Sequence, residues 1–453
     1  MSNLVDRAAA AQQLPRQGAI FAILGGLAIV VLDAAITNVA LPTIAHSFEI
    51  SAASSVLVVT AYQAALVMAL LPSAALGDSL GQRRIFTIGM AVFTAGSLLC
   101  ALSPSLPWLV SARFIQGLGA AAVMSLGVAL LRQSIPPARL GTAIGWNALT
   151  VALTSAAGPA IGSFILSALP WPWLFALNLP AGFAVLAASR SLPAVAGNHR
   201  PLDVISMGLS AGGFGLLIIG AEFAPSRPLI SALLFIAAAI ASIGLVRRGL
   251  KQPTPLLPFD LLRLGSFRIS VLASICCFCG QTAAMLALSF HLQNALQQSS
   301  LVTGLLITPW PLAVAVAAPF AGRLTNLVSG AWLCAAGGAT MATGLIGVAF
   351  WPSHTNPLTL APFIALCGAG FGFFQVSNNR NMFLSAPIER SAAAGGLQGT
   401  ARLLGQTAGA MTLATLFILF PEHGAPLLAL KIAAALTLAA GLISILRLPT
   451  RQP

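Results

Sequence analysis

The chain is built from long apolar segments that recur along almost its whole length. About fourteen of them approach the ~20 residues that an α-helix needs to cross a bilayer. Lipid cannot hydrogen bond to peptide groups, so segments of this length specify membrane-spanning helices. With 58% hydrophobic residues, 7% charged residues and a mean hydropathy of +0.93, a soluble globular domain is excluded. We therefore predict an all-α integral membrane protein.

The net charge of +13 comes from basic residues that alternate by loop. If the N-terminus is cytoplasmic, most arginines fall in cytoplasmic loops, and Arg227 and Lys431 are the main exceptions. This is the positive-inside bias of a multi-pass protein, so we expect both termini in the cytoplasm and a location in the cell inner (cytoplasmic) membrane. No basic stripe interleaved with aromatic residues is visible, which argues against nucleic acid as a partner.

The six cysteines fit neither a zinc site nor a disulfide framework. Cys276, Cys277 and Cys279 crowd one apolar segment, and the other three stand singly in different segments. We interpret them as small apolar packing residues and predict no metal site.

Two polar stretches divide the chain into three parts. Residues 190–203 and 247–268 break the apolar rhythm and bracket two plain hydrophobic segments. We predict an N-terminal six-helix bundle over 1–194, an inserted two-helix segment over 195–252 and a C-terminal six-helix bundle over 253–453. The two predicted six-helix bundles are weak sequence repeats of each other, offset by about 245 residues. This symmetry is expected of transporters with duplicated halves.

Asp33 is an acid inside the apolar stretch from Ile20 to Leu41, in a chain with nine acidic residues. Intramembrane acids are costly and are by default candidates for proton or ion handling. Arg113 is the opposite charge in the same half, so we predict that the two pair and carry proton coupling, through a separation that changes between conformations. Gln116 shares a helix face with Arg113 and, with Asn38, is a supporting candidate. The alternative is a static ion pair that joins helices 1 and 4.

Two glycine motifs mark helix junctions. Gly77, Asp78 and Gly81 precede Arg83 and Arg84 after the second apolar segment, and we expect Asp78 to stand near the start of helix 3 and to meet one of these arginines.

In the fifth segment, Gly158 and Gly162 flank Pro159. Glycines at this spacing let a neighbouring helix approach closely, and proline leaves a bend. Close packing alone is the competing interpretation of this motif.

These motifs resemble, in order, those of the fourteen-helix drug:proton antiporter branch of the major facilitator superfamily, the QacA and EmrB type. Leu32–Pro42, Ala112–Ala121 and Trp171–Pro180 are similar to further motifs of that branch, and the resemblance covers nearly the whole chain. It implies the major facilitator fold of two six-helix bundles plus two inserted helices, with Gly77–Arg84 as a conformational latch and Gly158–Gly162 as an antiporter motif. It also implies a transporter and not an enzyme, with protons as the coupling ion and no other cofactor.

The helices that face a central cavity offer aromatic, methionine and amide side chains, which suit bulky lipophilic molecules, including cations over ring faces. No acidic residue lies between Asp260 and Glu389, which argues against strong recognition of dications. The candidates are Tyr62, Gln63, Met124, Trp146, Asn147, Asn178, Gln281, Phe290, Gln293, Trp310, Phe371, Phe374, Gln375 and Gln406.

The leading hypothesis is a proton-coupled exporter of lipophilic, cationic or zwitterionic drugs or toxic compounds, working by alternating access with one proton per cycle. The alternatives are a proton symporter or uniporter of a small metabolite, and a non-transporting sensor or scaffold on the same fold. No phosphate-binding loop supports ATP-driven transport. We expect a monomer in the lipid bilayer, and the sequence leaves open a periplasmic adaptor protein as a partner.

Overall fold

The computed structural model describes residues 17–135, 140–194, 197, 202–224, 227–249, 252, 259–325, 327–351, 356–386, 391–420 and 424–447. Within them, fourteen helical spans are long and apolar enough to cross a membrane, and there are no strands. The predicted all-α membrane architecture is therefore confirmed.

We number the spans α1 to α14 in chain order. They are α1 (Gln17–Ser47), α2 (Ala52–Leu80), α3 (Gln82–Ala101), α4 (Leu106–Ser134), α5 (Leu140–Ala168), α6 (Trp173–Ser191), α7 (Val204–Phe223), α8 (Pro228–Gly249), α9 (Gly265–Ala295), α10 (Ser300–Leu324), α11 (Gly330–Ala349), α12 (Pro357–Ser385), α13 (Ser391–Leu419) and α14 (Ala425–Ile445).

Local sequence explains where several helices begin. Ser51 and Ser299 cap α2 and α10, each accepting a hydrogen bond from a backbone N–H three residues on. Gly81 separates α2 from α3 with φ 101°, a conformation that only glycine adopts at low cost. A short four-residue helix, Phe259–Leu262, precedes α9.

Four spans contain irregular turns, and α12 begins with one, the 3₁₀ turn Pro357–Leu360. α6 consists of Trp173–Ala176 followed by Asn178–Ala188, and α10 of Ser300–Ile307 followed by Pro309–Leu324. Proline lacks an N–H, so the break in α10 follows from Pro309. α9 ends in a π-helical turn, His291–Ala295.

The halves meet along two seams, α2 against α13 and α5 against α10. The side of the bundle at which α1 begins and α14 finishes is called the terminus end. The opposite side of the bundle is called the far end. One apolar cluster at the far end contains residues of both halves, among them Ile44, Leu292 and Ile307. Two hydrogen bonds cross there: Gln293 Nε2 donates to Val39 O (3.0 Å), and the hydroxyls of Thr43 and Ser300 lie 3.5 Å apart. The far end therefore joins the halves.

The inserted helices form a hairpin in which α7 packs against α8, α2 and α13. Asp203 caps α7 and binds Arg248 at the end of α8, with Oδ1 of Asp203 and Nη2 of Arg248 3.0 Å apart. Burial opposes ionisation of Asp203, but hydrogen bonds from Arg248, Ser206 and Gln252 outweigh it and hold the pKa of its carboxyl well below the ordinary range. The bundle boundaries stay a prediction, because 195–196 and 253–258 lie outside the described residues.

Candidate functional site

Asp33 lies midway along α1 and is 2% exposed. Arg113 of α4 is 1% exposed, and its Nη1 lies 2.5 Å from Oδ2 of Asp33. The structure thus brings the two predicted coupling residues into direct contact. Since an isolated charge at this depth would be costly, each side chain makes the other tolerable in the membrane interior.

The second carboxylate oxygen of Asp33 accepts two amide donors. Nε2 of Gln116 lies 3.0 Å from Oδ1, and Nδ2 of Asn178, at the start of the longer piece of α6, lies 2.7 Å away. Both amides also donate to Oγ of Ser97 on α3, at 2.8 and 3.3 Å. Four helices of the N-terminal half, α1, α3, α4 and α6, therefore meet at the carboxyl group of Asp33.

Arg113 is held on all sides. Its Nη1 donates to Gln116 Oε1 (2.6 Å) and its Nε to the backbone oxygen of Val58 (3.2 Å). The guanidinium carbon lies 4.1 Å from the ring centre of Tyr62 and 5.4 Å from that of Phe175, within the range of cation–π attraction. With so many partners on fixed elements, the guanidinium is preorganised to face Asp33.

The glycine motif of α5 packs directly beside Asp33. A Cβ on Gly158 would overlap the methyl group of Ala35, and one on Gly162 would lie 3.1 Å from Ile36 Cγ2. On its other side, α5 presents the backbone oxygen of Pro159 to Gly304 of α10, where a Cβ would lie 2.5 Å from that oxygen. α5 therefore contacts both the helix that carries Asp33 and the opposite half.

The loop motif differs from the prediction in two respects. Asp78 lies in the last turn of α2 and not at the start of α3. The boundary between the two helices falls at Gly81, which has a positive φ, and therefore after Asp78. Asp78 makes no ion pair with Arg83 or Arg84; it is exposed and accepts a hydrogen bond from Nε2 of Gln82 (3.1 Å).

That contact continues to a third helix. Oε1 of Gln82 accepts a hydrogen bond from Nε2 of Gln133 on α4 (3.2 Å). The ends of α2, α3 and α4 are thus joined through amides. Gly77 faces Leu126 of α4, whose Cδ2 a Cβ would overlap.

Several cavity candidates lie in other surroundings. Asn178 belongs to the Asp33 site, and Tyr62 is buried under Arg113. In the C-terminal half, Phe290 packs edge-on against Phe417 and Phe371 against Phe278, and Phe374 is buried in the same core. In this conformation neighbouring side chains enclose these residues, and their assignment to a substrate cavity stays a prediction.

Other candidates are exposed or only partly enclosed. Trp146 is 57% exposed, and Gln293 links the halves at the far end. Trp310 is buried. The Oε1 atom of Gln281 accepts a hydrogen bond from the hydroxyl of the adjacent Thr282 (3.3 Å). The remaining cavity candidates are half-buried and make no side-chain hydrogen bond with the described residues; they are Gln63, Met124, Asn147, Gln375 and Gln406. The same holds for the supporting candidate Asn38.

A family model described as Major Facilitator Superfamily matches residues 23–246. The chain is 46% identical over 439 residues to the uncharacterized transporter YebQ of Escherichia coli (strain K12). The alignment covers 96% of each of the two proteins. The chain belongs to the major facilitator superfamily, a family of membrane transporters and not of enzymes.

Relatives with assigned roles include transporters for drugs and for a vitamin. The multidrug resistance protein Stp of Mycobacterium tuberculosis (strain CDC 1551 / Oshkosh) is 31% identical over 392 residues, covering 85% of this chain and 72% of that protein. The riboflavin transporter RibZ of Clostridioides difficile (strain 630) is 28% identical over 395 residues, covering 86% of both chains. A crystal structure of a POT family transporter shares the fold, with a TM-score of 0.73 at 15% identity, covering 95% of this chain and 96% of that one.

Proposed function

We propose that this major facilitator transporter is a proton-coupled exporter of lipophilic compounds, with Asp33 as the proton-binding group. The observation that supports it is a single buried carboxylate bound to Arg113 and two amides on separate helices. Two relatives, one named as a multidrug resistance protein and one as a multidrug efflux pump, support export of drug-like molecules.

Protonation would act through the contacts of Asp33. A neutral carboxylic acid offers Arg113 no counter-charge, so α1 is held less firmly to α4 and α6. α1 packs against α5 at Ala35 and Gly158, and α5 packs against α10 at Gly304. A shift of α1 therefore reaches the seam between the halves through two close helix contacts, each of which has a glycine on one side.

We propose one proton per cycle, because Asp33 is the only carboxylate in the interior of a span among the described residues. Exchange of one proton for one monovalent cation moves no net charge. Export of a neutral or zwitterionic molecule against one proton also gains the membrane potential, about 2.3 kcal/mol per 100 mV. That energy supports roughly a fiftyfold gradient, since about 1.4 kcal/mol corresponds to tenfold.

We further propose an inner-membrane location, cytoplasmic termini and a monomeric state. In this orientation the far end is periplasmic, and the shared apolar cluster there corresponds to a state closed to the periplasm. Whether a periplasmic adaptor extends the export path is a separate question, which copurification from crosslinked cells would answer.

The decisive experiment compares wild type with Asp33→Asn in everted vesicles under an imposed pH gradient. Wild type should drive lipophilic dye transport, and Asp33→Asn should insert normally yet lose it. Asp203→Asn, which removes an acid distant from the site, is the matched control and should transport normally. Retention of pH-driven transport by Asp33→Asn would exclude Asp33 as the coupling residue.

A second proposal is proton-coupled symport or uniport of a small metabolite, which the relation to a riboflavin transporter favours. The direction of proton movement separates the two. In everted vesicles energised by an inside-acid gradient, adding the substrate of an antiporter releases lumenal protons, whereas a symporter or uniporter does not.

A further inference from the structure

The C-terminal half contains an arginine in the membrane interior without a counter-ion. Arg402 lies in α13, which begins at Ser391, so it is roughly 16 Å along the helix from the terminus end. Of the ion pairs among the described residues, one uses Asp33 with Arg113 and the other Asp203 with Arg248. Arg402 forms neither an ion pair nor a hydrogen bond with the part of the chain that the structure describes.

Arg402 is directed toward other helices and not toward lipid. From Ala394 to Phe417, every residue of α13 is buried or half-buried. Nε of Arg402 is fully buried without a hydrogen-bond partner, whereas its terminal nitrogens are neither bonded nor fully buried. An unpaired guanidinium at this depth is costly, and by default it marks a functional site.

Arg402 belongs to a polar stripe on α13. Gln398 and Gln406 lie one turn before and one turn after it on the same face. Nε2 of Gln398 donates to Oδ1 of Asn379 on α12 (3.0 Å), whereas Gln406 is half-buried without a side-chain hydrogen bond. The stripe therefore adjoins α12 at one end and offers a free amide at the other.

Across the seam, α2 supplies a second unsatisfied group. A Cβ on Gly399 would lie 3.5 Å from Leu70 Cδ2, and Leu403 packs in one cluster with Leu66. Gln63 shares the helix face of Leu66 and Leu70, and its Oε1 is buried without a hydrogen-bond partner in the described part of the chain. The two helices of the α2–α13 seam thus contain a guanidinium that lacks an anion, on α13, and a side-chain carbonyl that lacks a donor, on α2.

We propose that Arg402 binds an acidic group of the substrate, so that the transporter recognises lipophilic organic anions or zwitterions. Gln63 accepts a hydrogen bond from a hydroxyl or N–H group on the same molecule. The guanidinium presents a fork of N–H donors that matches a carboxylate, sulfonate or phosphate. This inference rests on the proposed transport function. It keeps the zwitterions expected from the sequence and replaces the expected cations with organic anions.

The test is a binding measurement on the full-length protein in lipid nanodiscs. The probes are anilinonaphthalenesulfonate and the uncharged N-phenylnaphthylamine, which share an aromatic framework, titrated against empty nanodiscs. Wild type should bind the sulfonate at least about tenfold more tightly, because a charge-assisted hydrogen bond supplies at least that factor. Arg402→Gln should reduce the affinity ratio to about one, and Arg402→Lys should give an intermediate value.

Arg447→Gln is the matched control. Arg447 is another partly enclosed arginine of the same half without a carboxylate partner among the described residues, but it lies at the terminus end and donates to Asn378 Oδ1 (2.8 Å). This variant should keep the wild-type ratio. Arg402→Gln should also be at least as heat-stable as wild type, since it removes an uncompensated buried charge.

The proposal is wrong if wild type does not prefer the sulfonate, or if Arg402→Gln retains the preference. Its outcome is independent of proton coupling, because binding is measured without a gradient. If wild type shows the preference but no proton-driven flux of any probe, the exporter proposal fails and the anion site remains.

Discussion

The Asp33–Arg113 pair predicts a strongly non-additive double-mutant cycle. Both side chains are almost fully buried, and their closest atoms are 2.5 Å apart. Removing one partner of such a pair costs about 3–5 kcal/mol, because the other charge is left uncompensated. Asp33→Asn keeps an acceptor oxygen for Gln116 and Asn178, so we expect the lower end, about 3 kcal/mol. Arg113→Met should cost a similar amount.

Replacing both members should restore most of the stability. In the double variant, methionine fills the volume of the guanidinium stem and no charge is buried. We expect its free energy of unfolding to lie within about 1–2 kcal/mol of wild type, a non-additivity of more than about 3 kcal/mol.

Equilibrium unfolding in mixed micelles with increasing dodecyl sulfate measures these differences, and dye transport in everted vesicles gives activity. The double variant should be folded but inactive in pH-driven transport. Single-variant losses that add to within about 0.5 kcal/mol would refute an energetic link between the residues. An active double variant would reduce the pair to a static link between α1 and α4.

Three further predictions concern packing and charge. Gly158→Ala should lose about 1–3 kcal/mol of stability and slow transport, because its methyl group meets α1, whereas Gly212→Ala, with open space around it, should lose none. Tyr62→Phe should be nearly neutral because the hydroxyl has no partner among the described residues, but Tyr62→Leu should cost about 1–2 kcal/mol in the same unfolding assay by removing the ring from Arg113. Asp203→Asn should cost about 0.5–1 kcal/mol at neutral pH, since the ion pair is partly exposed. The folded-state pKa of Asp203 is lowered, so its stabilising effect should vanish as pH falls through and below the ordinary carboxyl range, and the unfolding curves of variant and wild type should converge there.

The fold was predictable because hydropathy is a local property of each segment. Fourteen spans follow from segment length and apolar content without knowledge of their neighbours. The pairing of Asp33 with Arg113 was also predictable, because the high cost of an unpaired intramembrane charge left few alternatives in that half.

The partners of these charges were not predictable from pattern alone. An amide in an apolar helix gives the same sequence signal whether it faces a neighbouring helix or a cavity, so Asn178 was assigned to the cavity. Ser97 gave no signal, since serine is common in membrane helices. The position of Asp78 depended on one backbone angle at Gly81, which hydropathy does not report.

The inserted hairpin makes the two seams unequal. α7 lies against α2 and α13, so it covers the seam between them, whereas Leu153 and Phe164 of α5 and Val316 and Phe320 of α10 are exposed on the other side of the molecule. Acyl chains therefore touch the joint between the halves along α5 and α10 but are kept away from the opposite joint by an extra helix. Bilayer pressure therefore acts directly on the α5–α10 seam and through α7 on the α2–α13 seam. A molecule dissolved in the lipid can reach the first seam directly, whereas protein covers the second.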